Sequence, residues 1–573
     1  MARGLLVAVA LALPFELPLL GVGPLELTTV EVALYAMLAA WGVVLASGVV
    51  RGHIHPRSVL AALRTDALGG AVVLWSVLLF ASAWHASSYR GAAIKFALRS
   101  LSGILAFFAV RTLARPPEVR RRVLWALVAG ALVSAATAVL DSWAPATASV
   151  WSAFREGAFD TFGLARASGV FAYPTIGAMY WEAAVPLLVV APFLEDRACS
   201  PIVAKRGPGL AVLGGALLVE ALLASATRSG LAGAAVAGAA LLALVWRSGT
   251  GVRRAAVGVL GVLAVLSSLT LAATGSGSLL GQRLHWWRDA HWFGVEYVAD
   301  PTPRTIHARE PFTATVTLRN TGAIVWRHDG DRPTYLAYHW LPVGRPITQD
   351  DFEGRRTELA TDVPPGAAIE VHAQARGPAV AGGYRLQWDV VQENVTWFSE
   401  RGNPMAEQRF DVTASEGEHA AVPTDLSPPV FDTPAPSRLA LWHAAIALWR
   451  EHPLLGIGPD TFRRRYEAVL SPAPNGRPYT DTRIHANSLY LETLADMGLL
   501  GLASLALLMW ALWLVVRRHY AAGRLAGLGS GMAAGAFFVH GALDYFFEFT
   551  PLFGLFWILL GLTAAREPEA PSS

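Results

Sequence analysis

Leu124–Leu140 reads LWALVAGALVSAATAVL and carries no charged residue. Leu210–Ala226 and Ala255–Ala273 read the same way, with Glu220 the one charge in either. An apolar run of about 18 residues spans the roughly 30 Å hydrocarbon core as a helix, because a helix bonds every backbone polar group internally where lipid offers no partner. These stretches therefore predict a polytopic membrane protein. The whole chain agrees. Of 573 residues 54% are apolar and 16% charged, against about 25% charged in ordinary globular chains, and mean hydropathy is +0.41. Only Asp300–Glu418 has the composition of soluble protein. A sequence pI near 9.0 would suit nucleic acid, but the arginines sit in short loops between apolar segments, so that class is excluded. The single cysteine, Cys199, excludes an intrachain disulfide and a cysteine-rich metal site.

Spans are predicted at about 5–23, 27–49, 67–85, 97–114, 123–141, 176–194, 209–227, 231–247, 254–274, 489–516, 525–543 and 551–565. The first, Leu5–Leu20, lacks a small-x-small cleavage site and is read as a span rather than a signal peptide. Cytoplasmic loops carry an excess of Lys and Arg. Arg51, Arg57 and Arg64 form one such group, and Arg115 with Arg120, Arg121 and Arg122 another. Arg197, Lys205 and Arg206, then Arg247, Arg253 and Arg254, then Arg517, Arg518 and Arg524 complete the set. Counting spans puts all five groups and both termini on the cytoplasmic side. The outward loops are then 86–96, 142–175, 228–230, 275–488 and 544–550, and one of them is large. Residues 1–274 thus hold nine helices and 489–566 three more, with the large loop on the non-cytoplasmic side.

Inside that loop the periodicity changes. Phe312, Ala314, Val316 and Leu318 alternate with threonines, and Asn320-Thr321-Gly322 supplies a turn. Similar runs at Tyr335–Leu341, Ala368–Ala375, Tyr384–Val391 and Gln408–Thr413 predict an immunoglobulin-like all-β sandwich over 303–415. Without a disulfide its core relies on Trp326, Trp340 and Trp388. Such a module is either a spacer or a surface for glycan or a protein partner, and the sequence leaves both open. Residues 416–437, rich in proline around Thr424–Pro436, form a linker back to the membrane.

Residues 438–488 form an interfacial segment. Leu439, Trp442, Ile446 and Trp449 recur at helical spacing and suit a helix at the membrane interface. Pro453-Leu-Leu-Gly456-Ile-Gly458-Pro459 makes a rigid loop. In Ile484-His485-Ala-Asn487-Ser488, Asn487 or Ser488 predicts an N-cap. His485 then precedes a helix whose positive end disfavours imidazolium, so a neutral ring able to act as a base is expected. A lone histidine is more often structural. The outward arginines weigh against that here, because charges at this depth are costly. They are Arg228, Arg438, Arg166 and the Arg90, Lys95 and Arg99 group. Guanidiniums converging on one pocket suit a diphosphate. Asp544, four residues after His540, is a candidate for orienting such a site.

Thr227-Arg228-Ser229-Gly230, Arg438 followed by Pro453-Leu-Leu-Gly-Ile-Gly458, His485-x-x-x-Leu489…Gly498 and Arg166-Ala-Ser-Gly169-Val-Phe-Ala-Tyr-Pro174 resemble the O-antigen ligase and polymerase superfamily. The resemblance implies transfer of a glycan from undecaprenyl diphosphate to a lipid, glycan or protein acceptor, with no nucleotide, no metal and no cofactor. It maps the functional residues onto Arg228, Arg438 and His485. His485 would accept the acceptor's proton while the arginines hold the diphosphate. The β insert departs from the family pattern and leaves the acceptor open. A polymerase joining carrier-linked repeats is the nearest alternative. A transporter would show internal repeats, which are missing from this sequence, and a non-enzymatic scaffold would leave the outward arginines without a role.

Overall fold

The computed structural model describes residues 1–22, 25–52, 66–155, 159–161, 164–194, 201–246, 250–274, 292–299, 304–330, 332–345, 354–393, 395–414, 436–471, 479 and 481–565. Arg57, Arg64, Arg197 and most of the proline-rich linker lie outside these residues. The protein is mostly helical, with a separate β domain. Before that domain come α1 (Ala2–Ala12), α2 (Thr29–Val50), α3 (Ala67–His85), α4 (Arg90–Leu113), α5 (Pro117–Trp143), α6 (Pro174–Val190), α7 (Pro201–Ala224), α8 (Arg228–Val245) and α9 (Thr250–Thr274). After it come α10 (Arg438–Glu451), α11 (Phe462–Val469), α12 (Leu489–Ala521), α13 (Leu525–His540) and α14 (Thr550–Ala564). Among the described residues eight helices are long and apolar enough to cross a membrane, and α1, α13 and α14 are shorter apolar helices.

The first predicted span needs correction. α1 ends at Ala12, and an antiparallel hairpin of β1 (Pro18–Val22) and β2 (Leu25–Thr28) follows. Pro14 and Pro18 bring no amide hydrogen, so each would cost a helix running through it a hydrogen bond. Elsewhere the helices pack through apolar side chains against small residues. Gly103 of α4 lies so close to Trp557 of α14 that a Cβ would come within 2.2 Å of the ring.

Two ends of the bundle are distinct. At one, Arg111 pairs with Asp66 at 2.5 Å, Arg120 donates to the Ala565 carbonyl at 3.5 Å, and a His519 ring nitrogen lies 2.8 Å from the Thr563 carbonyl. The arginine-bearing turns after α4 and α12 therefore share that end. The starts of α6, α8, α12 and α14 meet at the other. There Leu489 N donates to the carbonyls of Gly541 and Asp544 at 2.7 and 3.0 Å, and the Tyr173 and Phe549 rings lie 6.1 Å apart.

α12 is a broken helix, and the break builds this second end. Gly498 adopts φ 66°, ψ −165°. The freed carbonyls of Ala495 and Asp496 accept from Ile457 N and Gly458 N at 3.0 and 2.9 Å, while Leu499 N and Leu500 N donate to Pro453 O and Leu454 O at 2.8 and 3.1 Å. The Pro453–Pro459 loop thus satisfies backbone groups that the kink frees inside an apolar helix. Gly456 (φ 71°) and Gly498 make the approach possible: a Cβ on either would sit 2.3–2.4 Å from the facing backbone. α10 packs beside this loop by Leu441, Ala444, Ala445 and Leu448. The predicted Leu439–Trp449 stripe is not its packed face, for Leu439 is 60% exposed.

The β domain has its own core, centred on Trp292, Trp326, Trp340, Trp388, Phe398 and Phe410. One sheet orders β6 (Ala368–Arg376), β4 (Pro311–Asn320) and β3 (Val295–Ala299). The other is built on β5 (Thr334–Pro342), β7 (Gly382–Gln392) and β8 (Ala406–Thr413), with β7 antiparallel to both its neighbours. Ala314, Val316 and Leu318 of β4 are buried as their alternation predicts. β3 pairs with β4 upstream of residue 303, so the domain extends beyond the boundary that the sequence suggested.

Candidate active site

Ser488 caps α12, accepting from Leu491 N at 3.4 Å, and His485 lies three residues before this cap. Glu492, one turn inside, reaches back: its Oε1 lies 2.5 Å from His485 Nδ1 and its Oε2 accepts from Ala486 N at 2.9 Å. On the opposite side of the ring Nε2 lies 2.5 Å from Glu548 Oε2, and Tyr545 stacks on the ring face at 4.6 Å. Both ring nitrogens are therefore occupied by carboxylates. Burial works to lower the histidine's pKa, but the Glu492 charge and hydrogen bond, then those of Glu548, outweigh it and raise the pKa to about 10. The expected neutral imidazole is corrected to an imidazolium. The helix N-terminus does disfavour a cation, but two carboxylates in contact with the ring are the stronger influence. Burial also raises Glu548, yet its hydrogen bond to His485 and the charges of His485, Arg463 and Arg99 hold it below the usual carboxylate value.

His485 and Glu548 open onto a cleft of about 460 Å³. One wall is apolar, formed by Tyr173, Ile176, Met179, Phe549 and Leu552, and the other is polar, with Asp481, Arg483, Asn487 and Asp544. An apolar wall facing a few convergent polar groups is the usual form of a ligand site. A second, much smaller void lies inside the bundle beside Glu492 and Asp496.

The sequence-predicted residues divide by role. Arg438 is the first residue of α10, half exposed, with Nη2 3.8 Å from Asp544 Oδ2 on the cleft rim. Arg228 begins α8, outside the set of residues lining the cleft. Arg166 is buried and donates to Ser225 O at 2.8 Å and to Thr227 Oγ1 at 2.9 Å. It thereby braces the turn, with Ala226 at φ 47°, from which Arg228 emerges. Arg99 donates to the carbonyls of Phe547 and Glu548 at 3.1 and 2.7 Å and to Thr550 Oγ1 at 3.1 Å. It fixes the segment that carries Glu548. Arg90 donates to Ala86 O at 3.1 Å and Lys95 is exposed on the next turn of α4. Neither lines the cleft.

Sequence reasoning assigned no role to Glu492, Glu548 or Arg463. Arg463 pairs with Asp460 and lies 3.9 Å from Glu548, and Asp496 receives the amides of Asp460 and Phe462 at 2.8 and 2.9 Å. Two signals were available: acids inside otherwise apolar helices, and the Arg463–Arg465 run within the loop that the sequence predicts to face outward. Among the described residues the group with metal-ligand spacing is His328, Asp329 and Asp362. It lies on the β domain, and Asp362 is engaged by Arg327 at 2.7 Å.

Residues 394–506 match the family model described as O-antigen ligase. The match is confined to that segment, a minor part of the chain, and supports the O-antigen ligase and polymerase superfamily. This implies a membrane glycosyltransferase acting on a lipid-linked glycan donor and a glycan acceptor. The matched segment contains Arg438, Asp460, His485, Glu492 and Gly498, and excludes Arg228 and Glu548. No curated protein matches the chain. Among solved structures it is similar to Pseudomonas fluorescens alkylpurine DNA glycosylase AlkC bound to DNA containing an abasic site analog, at 10% identity over 61% of this chain and 97% of that one. The TM-score of 0.14 carries no argument about fold or function.

Proposed function

We propose that this protein transfers a glycan from undecaprenyl diphosphate to an acceptor hydroxyl, as an O-antigen ligase does, at the periplasmic face of the bacterial inner membrane. The observation that carries the reading is His485 held between Glu492 and Glu548 at the wall of a half-apolar cleft. The apolar wall suits a polyprenyl chain and the polar wall a sugar. Arg438 and Arg228 supply guanidiniums for the diphosphate, with Arg166 and Arg99 as positioning residues. The acceptor oxygen bonds to the anomeric carbon as the carbon–oxygen bond to the diphosphate breaks, and undecaprenyl diphosphate leaves with the electron pair. The acceptor's proton passes to Glu548, whose charge and position His485 sets. Arginines aimed at the departing charge stabilise the transition state. The activation is already stored in the sugar–diphosphate bond, so the reaction needs no nucleotide and no metal. The β domain is read as an immunoglobulin-like module on the same face.

The test uses purified full-length protein, undecaprenyl-diphosphate-linked glycan and two acceptors, a lipid A core and a second carrier-linked glycan. Product on the first marks a ligase and on the second a polymerase. Loss of a positioned proton-transfer group costs about 10²–10⁴ in rate, so His485→Ala, which leaves the proton acceptor Glu548 without its partner, should nearly abolish transfer. Full activity in that variant, or a strict divalent-metal requirement, would overturn the reading.

A further inference from the structure

The cleft is served by a second carboxylate–histidine–carboxylate chain. His540, the last residue of α13, is 1% exposed, and its Nδ1 lies 2.9 Å from Oε1 of Glu182, which is also 1% exposed and sits in the middle of α6. Its Nε2 faces Oδ2 of Asp544 at 3.6 Å, and that same oxygen lies 3.8 Å from Arg438 Nη2. Among the described residues Oε2 of Glu182 and Nε2 of His540 have no hydrogen-bond partner. Gly233 of α8 leaves the space that the carboxylate fills, since a Cβ there would come within 2.4 Å of Oε2. A buried acid and histidine within a membrane bundle are costly, and such groups mark function. The mechanism above leaves both unused.

We infer that Glu182 and His540 are positioning residues that hold Asp544 away from Arg438 when the donor binds, so that Arg438 exchanges a carboxylate for a phosphate. In the resting protein Asp544 is shared between His540 and Arg438, at nearly equal distances. Glu182 orients the ring through Nδ1 and leaves Nε2 directed at Asp544. When a diphosphate arrives, Arg438 turns to it, and Asp544 keeps a cationic neighbour in the ring. Without that ring charge Asp544 competes with the ligand for Arg438. This rests on the reading of Arg438 as a diphosphate ligand.

Binding of undecaprenyl diphosphate to the full chain in detergent tests the exchange, with folding checked by gel filtration and thermal melting. His540→Gln, which keeps the volume but carries no charge, should weaken binding on the order of fivefold. Glu182→Gln should act in the same direction and serves in its place if His540→Gln does not fold. Adding Asp544→Asn to His540→Gln should restore binding to within about twofold, because the competing carboxylate charge is gone. A merely structural role predicts no such restoration. Weakened binding without restoration overturns the inference, and so does unchanged affinity in both His540→Gln and Glu182→Gln. If Arg438→Ala leaves affinity unchanged, the reading of the site itself fails. If Arg438→Ala weakens binding and the other two do not, only this inference fails.

Discussion

His485 Nδ1 and Glu492 Oε1 are 2.5 Å apart across the start of α12, so the ring's orientation is set by the helix that it precedes. The same carboxylate takes the Ala486 amide, which leaves the imidazole little rotational freedom. The other ring nitrogen is thereby aimed at Glu548 in the cleft.

The first prediction concerns pH. A histidine whose pKa rises on folding contributes stability that is fully present below its unfolded value near 6.5 and is lost as pH rises through its folded value, here about 10. His485 therefore stays charged through neutral pH. Glu492→Gln removes the largest favourable contribution and should move the alkaline limb of the pH–rate profile down by about one to three units. Donor turnover measured from pH 6 to 10.5 checks this, and a limb that does not move counts against a charged His485.

Arg228→Lys should lose most transfer activity, because an ammonium cannot offer the bidentate fork that a diphosphate accepts. Removing one charge-stabilising donor typically costs about 10²–10³ in rate. Arg166→Lys should fall in the same direction, since it breaks the brace to Ser225 and Thr227 behind Arg228. Initial rates at saturating donor, on protein of unchanged melting temperature, decide both.

Arg99→Ala should lower activity without touching the cleft. Three hydrogen bonds to residues 547–550 disappear, and a neutral hydrogen bond contributes about 0.5–1.5 kcal/mol, one to a charged group more. The melting temperature should drop and the maximal rate should fall as Glu548 loses its fixed position. Wild-type activity in this variant would argue against a precise placement of Glu548.

Gly456→Ala and Gly498→Ala should each impair folding. Both glycines have positive φ and face backbone at 2.3–2.4 Å from a would-be Cβ. Strain of this kind costs about 1–3 kcal/mol before the clash is counted. Yield of monodisperse protein and thermal melting report the effect.

For the β domain, residues 292–414 should unfold cooperatively when expressed alone, whereas 303–415 should be markedly weaker. The shorter piece lacks β3 and the buried Trp292 and Phe293, and removing a buried aromatic side chain costs about 3–5 kcal/mol. Denaturant titration of the two fragments compares them directly.

The sequence by itself determined the membrane class and the strand-rich insert, because helix span and strand alternation are periodic and local. It also determined which residues sit at element starts: Arg228, Arg438 and His485 begin or precede helices through nearby caps and turns. The first span was misjudged because apolarity outweighed Pro14 and Pro18. Only the tertiary structure decided the charge of His485. Its partners Glu492 and Glu548 lie seven and sixty-three residues away in sequence, and proximity of that kind has no periodic signature. The same holds for Arg99, whose outward charge resembled a substrate ligand and whose contacts are backbone carbonyls about 450 residues distant. Local chemistry placed the charged side chains at the ends of helices. Which of them meets which was set by long-range packing: the break at Gly498, the loop that fills it, and the segment between α13 and α14 that closes over the ring.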